Sequence, residues 1–242
     1  LTRVIAGPVS TRTLALLGAD VLRIDPPRPA EIALQHLDTG HGKRSALLDL
    51  TSDGARRVFD DLLETADVVV LGYRPAAMTR LGLTPDALAE RRPGIVVARL
   101  SAWGDADRRG FDSLVQAASG IALIEGDGAA PGVLPAQALD HTAGYLLAAG
   151  VMTALARRDA EGGSWQIEAS LRRVAAELLG LARADVVPHA PALDTSAHTQ
   201  VFEVAGHRLT TTAPAIGYAG GPSRFAAPRP WGGDAPAWLP RR

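Results

Sequence analysis

The sequence predicts an α/β fold in which parallel strands alternate with helices. Three observations carry this expectation. Short apolar runs of strand length recur between amphipathic stretches of helical period along most of the 242 residues. Several of the helical stretches bring their own start and stop residues. The run DVVVLGY at 67–73 is β-branched through its middle, as suits a strand covered on both faces.

Taken in order, STRTLALLGAD at 10–20 has apolar residues at helical spacing, with Ser10 as the expected N-cap and Gly18 as the stop. VLRIDPP at 21–27 reads as a strand closed by Pro26, and RSALLDL at 44–50 as another short apolar run. TSDGARRVFDDLLETA at 51–66 is an amphipathic helix with Val58, Leu62 and Leu63 on one face and Ser52 near its start. TPDALAERRP at 84–93 is a compact helix: Thr84 caps it, Pro85 occupies its first turn and Pro93 closes it. GIVVARLSAW at 94–103 is again a strand. GFDSLVQAASG at 110–120 is a short helix between glycines, followed by the turn-rich IEGDGAAPGVLP at 124–135. A long helix is expected over 140–158, then an alternating strand GSWQIEAS at 163–170 and a helix LRRVAAELLGLA at 171–182. From about Ala184 periodicity gives way to Pro, Ala and His. TQVFEVAGHRLTTTAP at 199–214 reads as a hairpin turning at Ala205-Gly206, and the Gly/Pro-rich end as chain extended over the surface. The expected division is a domain over 1–182 and, over 183–242, a segment packing back on it.

The composition is 47% hydrophobic and 21% charged, with a net charge of −1, which gives no support for a nucleic-acid or membrane-surface partner. There is no cysteine, which excludes disulfides, thiol catalysis and zinc–thiolate sites and fits a cytoplasmic setting. LTRVIAGPVS at 1–10 does not read as a secretory leader. The longest apolar run, 145–156, is interrupted by Gly150 and Thr153 and is too short for a bilayer core of about 30 Å. The six histidines form no H-x-x-x-H pair, so no metal is expected, and most of them read as surface or loop residues. No G-x-G-x-x-G, Walker or G-x-S-x-G pattern occurs.

Three features remain. Lys43 and Arg44 precede a strand, where positive charge could meet phosphate or simply face solvent. Gly72-Tyr73-Arg74 follow a strand at the end where ligands of open α/β sheets bind, and an aromatic beside an arginine suits a nucleotide. Asp140 stands at the mouth of the long apolar helix. It could be an N-cap, which local preference favours, or an ionised carboxylate that attacks an activated acyl carbon. Local sequence leaves both open.

The succession LTRVIAGPVSTRTLALLGADVLRID, GKRSALLDL, ADVVVLGYRPAAMTRLGL, RRGFDSLVQAASG, ALDHTAGYLLAAGVMTALARR and IEASL resembles the family III CoA-transferases over about residues 1–180. That family includes formyl-CoA transferase, carnitine CoA-transferases and α-methylacyl-CoA racemase. The resemblance implies a Rossmann-like large domain with a parallel sheet flanked by helices. It implies no permanently bound cofactor, with coenzyme A or acyl-CoA and a carboxylic acid as substrates. It identifies Asp140, in the family's D-x-x-x-G pattern ending at Gly144, as the nucleophile. CoA contacts carry over to the backbone of Val4 and Ala6, to Gly72, Tyr73 and Arg74 where the family usually has NFRPG, to Arg80 and Leu81, to Arg109, and to Lys43 and Arg44 of the KRS motif.

Two departures stand out. The racemases place a histidine in GHD, where this chain has Gly110-Phe111-Asp112, which favours CoA transfer over proton exchange. Full members also have a strand before LTRVIAGP and a small domain before their terminal segment, which makes this a shortened member. The resemblance further implies an intertwined homodimer, or a partner chain supplying those parts. The readings in play are a CoA-transferase acting through Asp140, a CoA-binding protein without turnover, and a racemase using another base.

Overall fold

The computed structural model describes residues 1–182, 194–204 and 206–240. Strands β1 (Leu22–Asp25) and β2 (Arg44–Leu47) pair in parallel, with Leu22 opposite Arg44. Strands β3 (Val68–Leu71), β4 (Val96–Ser101) and β5 (Trp165–Ser170) form a second parallel sheet in that order, with Val68 opposite Val96 and Val96 opposite Trp165. Leu1 adds one parallel rung to the edge of β3 away from β4. Its amino group donates to the Val70 carbonyl, and its own carbonyl accepts from the Gly72 amide, both at 3.0 Å. A cavity of about 710 Å³ lies between β1 and β3, walled by Leu1, Leu22, Val68, Val70 and Trp238 among others.

The β-branched run of β3 serves two cores because successive side chains point to opposite faces. Val69 and Leu71 join Phe59, Leu62 and Leu63 of α3 (Asp53–Glu64) and Leu88 of α5 (Pro85–Arg91) on one face. Val70 joins Leu14 of α1 (Ala6–Leu16) and Leu147 and Val151 of α8 (Ala138–Glu161) on the other. The parallel strands are thus flanked by helices, as the alternation of motifs predicts. Ser52 and Thr84 cap α3 and α5 as expected, accepting from the Ala55 and Ala87 amides. Helix α2 (Ala33–Thr39) lies between β1 and β2 in the chain, α4 (Pro75–Arg80) follows β3, and α6 (Asp112–Ser119) ends on Gly120 at φ +90° and is continued by the short α7 (Ile121–Ile124). Strand β5 leads directly into α9 (Leu171–Gly180).

Two expectations about helix starts need correction. Helix α1 begins at Ala6, a turn before Ser10, whose hydroxyl is buried within the helix without a partner among the described residues. Pro8 is tolerated there because first-turn amides have no helical acceptor. Asp140 is not the N-cap of α8 but its third residue, and the preceding Gln137 makes no side-chain cap.

The end of the chain is seated on the sheet rather than only spread over a surface. Strands β6 (Thr199–Val204) and β7 (His207–Thr212) form the antiparallel hairpin, with Val204 opposite His207. The predicted turn residue Ala205, the boundary at 183 and His189 lie outside the described residues. Trp231 donates its indole N–H to Asp25 at 3.0 Å and Trp238 donates to the Leu62 carbonyl at 3.0 Å.

Two of the histidines, His36 and His41, are core residues, both buried. The His41 ring lies 5.2 Å from the rings of both Phe202 and Phe225. Burial holds it neutral, with its pKa lowered to about 4. Nδ1 then donates to the Asp38 carbonyl at 2.6 Å, and Nε2 accepts from the Thr211 hydroxyl at 3.2 Å. Replacing His41 by Ala is expected to cost about 2–4 kcal/mol by opening a cavity and orphaning these partners. Limited proteolysis should then cut first in the hairpin. Because the folded pKa lies below the ordinary 6.5, the His41 contribution is present above pH 6.5 and lost as pH falls toward 4. That part of the acid sensitivity of Tm should vanish in His41→Ala.

Candidate active site

The site is built where α1, α6 and α8 meet. Asp140 is 7% exposed, and its own amide donates to Oδ2 of Asp112 at 2.9 Å. Asp112, also buried, therefore does from α6 what no local side chain does for the head of α8: it accepts an amide that the helix leaves unpaired. Its other oxygen accepts from the Gln116 side-chain amide, and the Gln116 carbonyl oxygen accepts from the Leu134 amide at 2.9 Å. This chain fixes the approach of the backbone to α8. It also sets two carboxylates near each other out of water. Burial first, and then the Asp112 charge, push the Asp140 pKa up to about 7.

One turn further on, Gly144 explains the spacing D-x-x-x-G. A Cβ there would lie 2.7 Å from the Ala6 carbonyl oxygen and 2.9 Å from the Val9 Cβ, so α8 crosses α1 against bare backbone. Residues four apart share a helix face, so the crossing turns Asp140 toward the start of α1. Leu139 and Ala143 pack with Ala6 and Val115 in one apolar cluster beside it.

The segment before α1 connects this point to the end of β3. Thr2 fills the space at Gly7 and touches Gly72, where an added Cβ would meet it at 3.2 Å. A side chain at 72 would press on Thr2, which would have to give slightly. Tyr73 follows, its hydroxyl buried without a partner among the described residues. Burial and the Asp25 charge raise its phenol above the ordinary value. Arg74 is exposed at the start of α4. Asp107 accepts from the Ala76 amide at 3.2 Å, which ties the loop after β4 to that helix start. In the same loop Arg108 stacks 3.7 Å over Trp103, and the Trp103 indole donates to the Arg109 carbonyl at 3.0 Å. The Arg109 side chain is left exposed, three residues before Asp112.

Gly72, Tyr73 and Arg74 thus follow the carboxyl end of β3 and Arg109 follows that of β4, while Val4 and Ala6 lead into the start of α1, against which Gly144 of the Asp140 helix packs. Arg80 and Leu81 lie at the other end of α4. Lys43 and Arg44 are engaged elsewhere. The Lys43 ammonium is buried and donates to the Pro8 carbonyl and the Thr11 hydroxyl, both at 2.8 Å, and burial holds its pKa well below the usual range. Arg44 pairs with Asp20 at 2.8 Å and also donates to the Ala237 carbonyl. Lys43 thus holds the start of α1, and Arg44 ties the strand to the chain end. Sequence reasoning missed the roles of Asp112 and Gln116. Their separation of four residues on a short helix was visible, but the bond from Asp112 to residue 140 spans 28 residues and carries no local signal. Among the described residues, no group of three or more His, Asp or Glu is placed to hold a metal ion, and no helix is long and apolar enough to cross a membrane.

The model of the family described as CoA-transferase family III matches residues 1–215. The probable fatty acyl-CoA transferase Rv3272 of Mycobacterium tuberculosis is 33% identical over 196 residues, covering 73% of this chain and 50% of that protein. The acetyl-CoA:oxalate CoA-transferase of Acetobacter aceti is 31% identical over 188 residues, covering 71% of this chain and 48% of that protein. A crystal structure of Rv3272 superposes with a TM-score of 0.68 at 34% identity, over 74% of this chain and 54% of that one. The chain spans about half the length of these relatives.

Proposed function

Because the chain belongs to CoA-transferase family III, we propose that it moves CoA from an acyl-CoA donor to a carboxylic acid through a covalent intermediate on Asp140. The observation that carries this reading is the buried Asp140 at the head of α8, backed by Asp112 and turned by Gly144 onto the start of α1. A carboxylate with a pKa near 7 is more basic than an ordinary aspartate and still ionised at slightly alkaline pH, which suits a nucleophile.

In the proposed cycle an Asp140 oxygen attacks the thioester carbonyl. The carbon–sulfur bond breaks, CoA thiolate leaves, and a mixed anhydride forms. The thiolate then attacks the Asp140 acyl carbon and expels the donor acid, which leaves an aspartyl-CoA thioester. The acceptor carboxylate attacks that thioester and again expels thiolate. The thiolate takes the acceptor acyl group and frees the Asp140 carboxylate. The N-terminal end of α8 favours the negative charge that develops on oxygen during each attack. The exposed Arg74 and Arg109, with Tyr73 between strand and helix, supply the charge and ring that a nucleotide diphosphate needs. Phe111, exposed in place of a histidine, carries no proton, so the geometry offers no support for racemisation.

A second reading is CoA binding without turnover. Thermal unfolding with free CoA tests what the two share. A ligand at a hundredfold excess over its Kd adds about 2.7 kcal/mol, so Tm should rise clearly at millimolar CoA. No rise would exclude a CoA site in this chain. Multiple turnovers of an acyl-CoA with a carboxylic acid, and hydroxylamine-sensitive label on Asp140, would decide for transfer.

A further inference from the structure

We propose that Glu31 is a positioning residue that holds the turn at Val4, and with it the start of α1, in the conformation from which this backbone faces CoA; the last clause rests on the reading above. Val4 has φ +67°, a left-handed conformation that β-branched residues seldom adopt. The hold comes from 27 residues away, where Glu31 Oε2 accepts the Val4 amide at 3.0 Å.

Glu31 is itself fixed from several sides. Its side chain is 1% exposed. Oε2 also accepts from Arg23 at 2.8 Å, and Oε1 accepts from the Ile32 amide at 3.1 Å and from Arg3 at 3.4 Å. Burial alone would push this carboxyl up, but the Val4 amide and the Arg23 guanidinium bring it below its ordinary value. Arg23 is anchored in turn by Asp25 at 2.6 Å, and Asp25 accepts the Trp231 indole N–H at 3.0 Å. The network thus runs from the seated end of the chain to one strained peptide.

What that peptide controls is close by. Helix α1 starts two residues later, at Ala6, whose carbonyl oxygen is the atom Gly144 of α8 must clear. A shift at Val4 therefore moves the start of α1 against the helix that carries Asp140. A glutamine at 31 has one acceptor oxygen and an amide that can only donate. It cannot accept from Val4, Ile32, Arg23 and Arg3 together.

The test uses the full chain with Glu31→Gln, Val4→Gly and the double variant. In Glu31→Gln, amide exchange at Val4 and Ile5 should rise at least tenfold while β3 and β4 keep their protection. The Kd for free CoA should rise about tenfold. In the double variant most of the Tm lost through Glu31→Gln should return, because glycine takes φ +67° without support. Unchanged exchange at Val4, or strictly additive Tm losses, would overturn the proposal. If the exchange and Tm results hold but the unmodified chain binds no CoA, the hold on Val4 stands and the CoA reading falls.

Discussion

Asp140→Asn is expected to abolish acyl transfer and to make the folded protein more stable at alkaline pH. Loss of a covalent nucleophile should lower the rate by at least about 10³-fold, since binding and polarisation alone recover little of the reaction. The stability change follows from linkage. The folded pKa of Asp140 is about 7 against an ordinary 3.8, so folding opposes its ionisation. Its contribution is favourable below pH 3.8 and is lost as pH rises through 7. At 1.36 kcal/mol per unit this is a few kcal/mol at most, and relaxation of the site should leave about 1–3 kcal/mol. Asparagine removes the charge, so its Tm should exceed that of the unmodified protein at pH 8 and converge with it at pH 4. The rate should show an acid limb near pH 7, and Asp112→Asn should move that limb lower, because one of the two causes of the shift is the Asp112 charge. A rate in Asp140→Asn within tenfold of the unmodified protein would end the covalent mechanism. A Tm that falls at every pH would show that the carboxylate serves the fold instead.

Gly144→Ala should be among the most damaging single-methyl additions. Its Cβ would sit 2.7 Å from a backbone oxygen of α1, and neither helix can yield locally because Leu147, Ala148 and Val151 of α8 are fully buried against the sheet. Overpacking of this kind costs about 1–3 kcal/mol, or roughly 2–12 °C in Tm for a chain of this size. The activity should fall further than the stability predicts, since the helix that carries Asp140 must back away from the start of α1. Gly54→Ala in α3 is the control. It meets nothing within 4 Å, and its φ is not in the left-handed region. It should gain about 0.5–1 kcal/mol from helix preference alone. Equal effects at both positions would refute the argument from close approach.

Much of the architecture was legible because its signals are local. Ser52 and Thr84 cap their helices within three residues, and the apolar period of β3 announces a strand covered on both sides. The order of the motifs was enough for the family, and it was that resemblance, not the local residues, that pointed to Asp140. The partners of the charged residues were not legible. Lys43 and Arg44 look alike in sequence, yet one ammonium is buried beneath α1 and the other cation ties down the end of the chain. His41 reads as a loop histidine and is a core residue held by Phe202, Phe225 and Thr211, all from the end of the chain. The rise in the Asp140 pKa depends on Asp112, and the strained peptide at Val4 depends on Glu31. Helix caps and side-chain periods act over a few residues, so the order of residues records them. Burial and long-range hydrogen bonds arise only when distant segments share a space, and they decide which carboxylate is basic, which cation is spent and which backbone is held under strain.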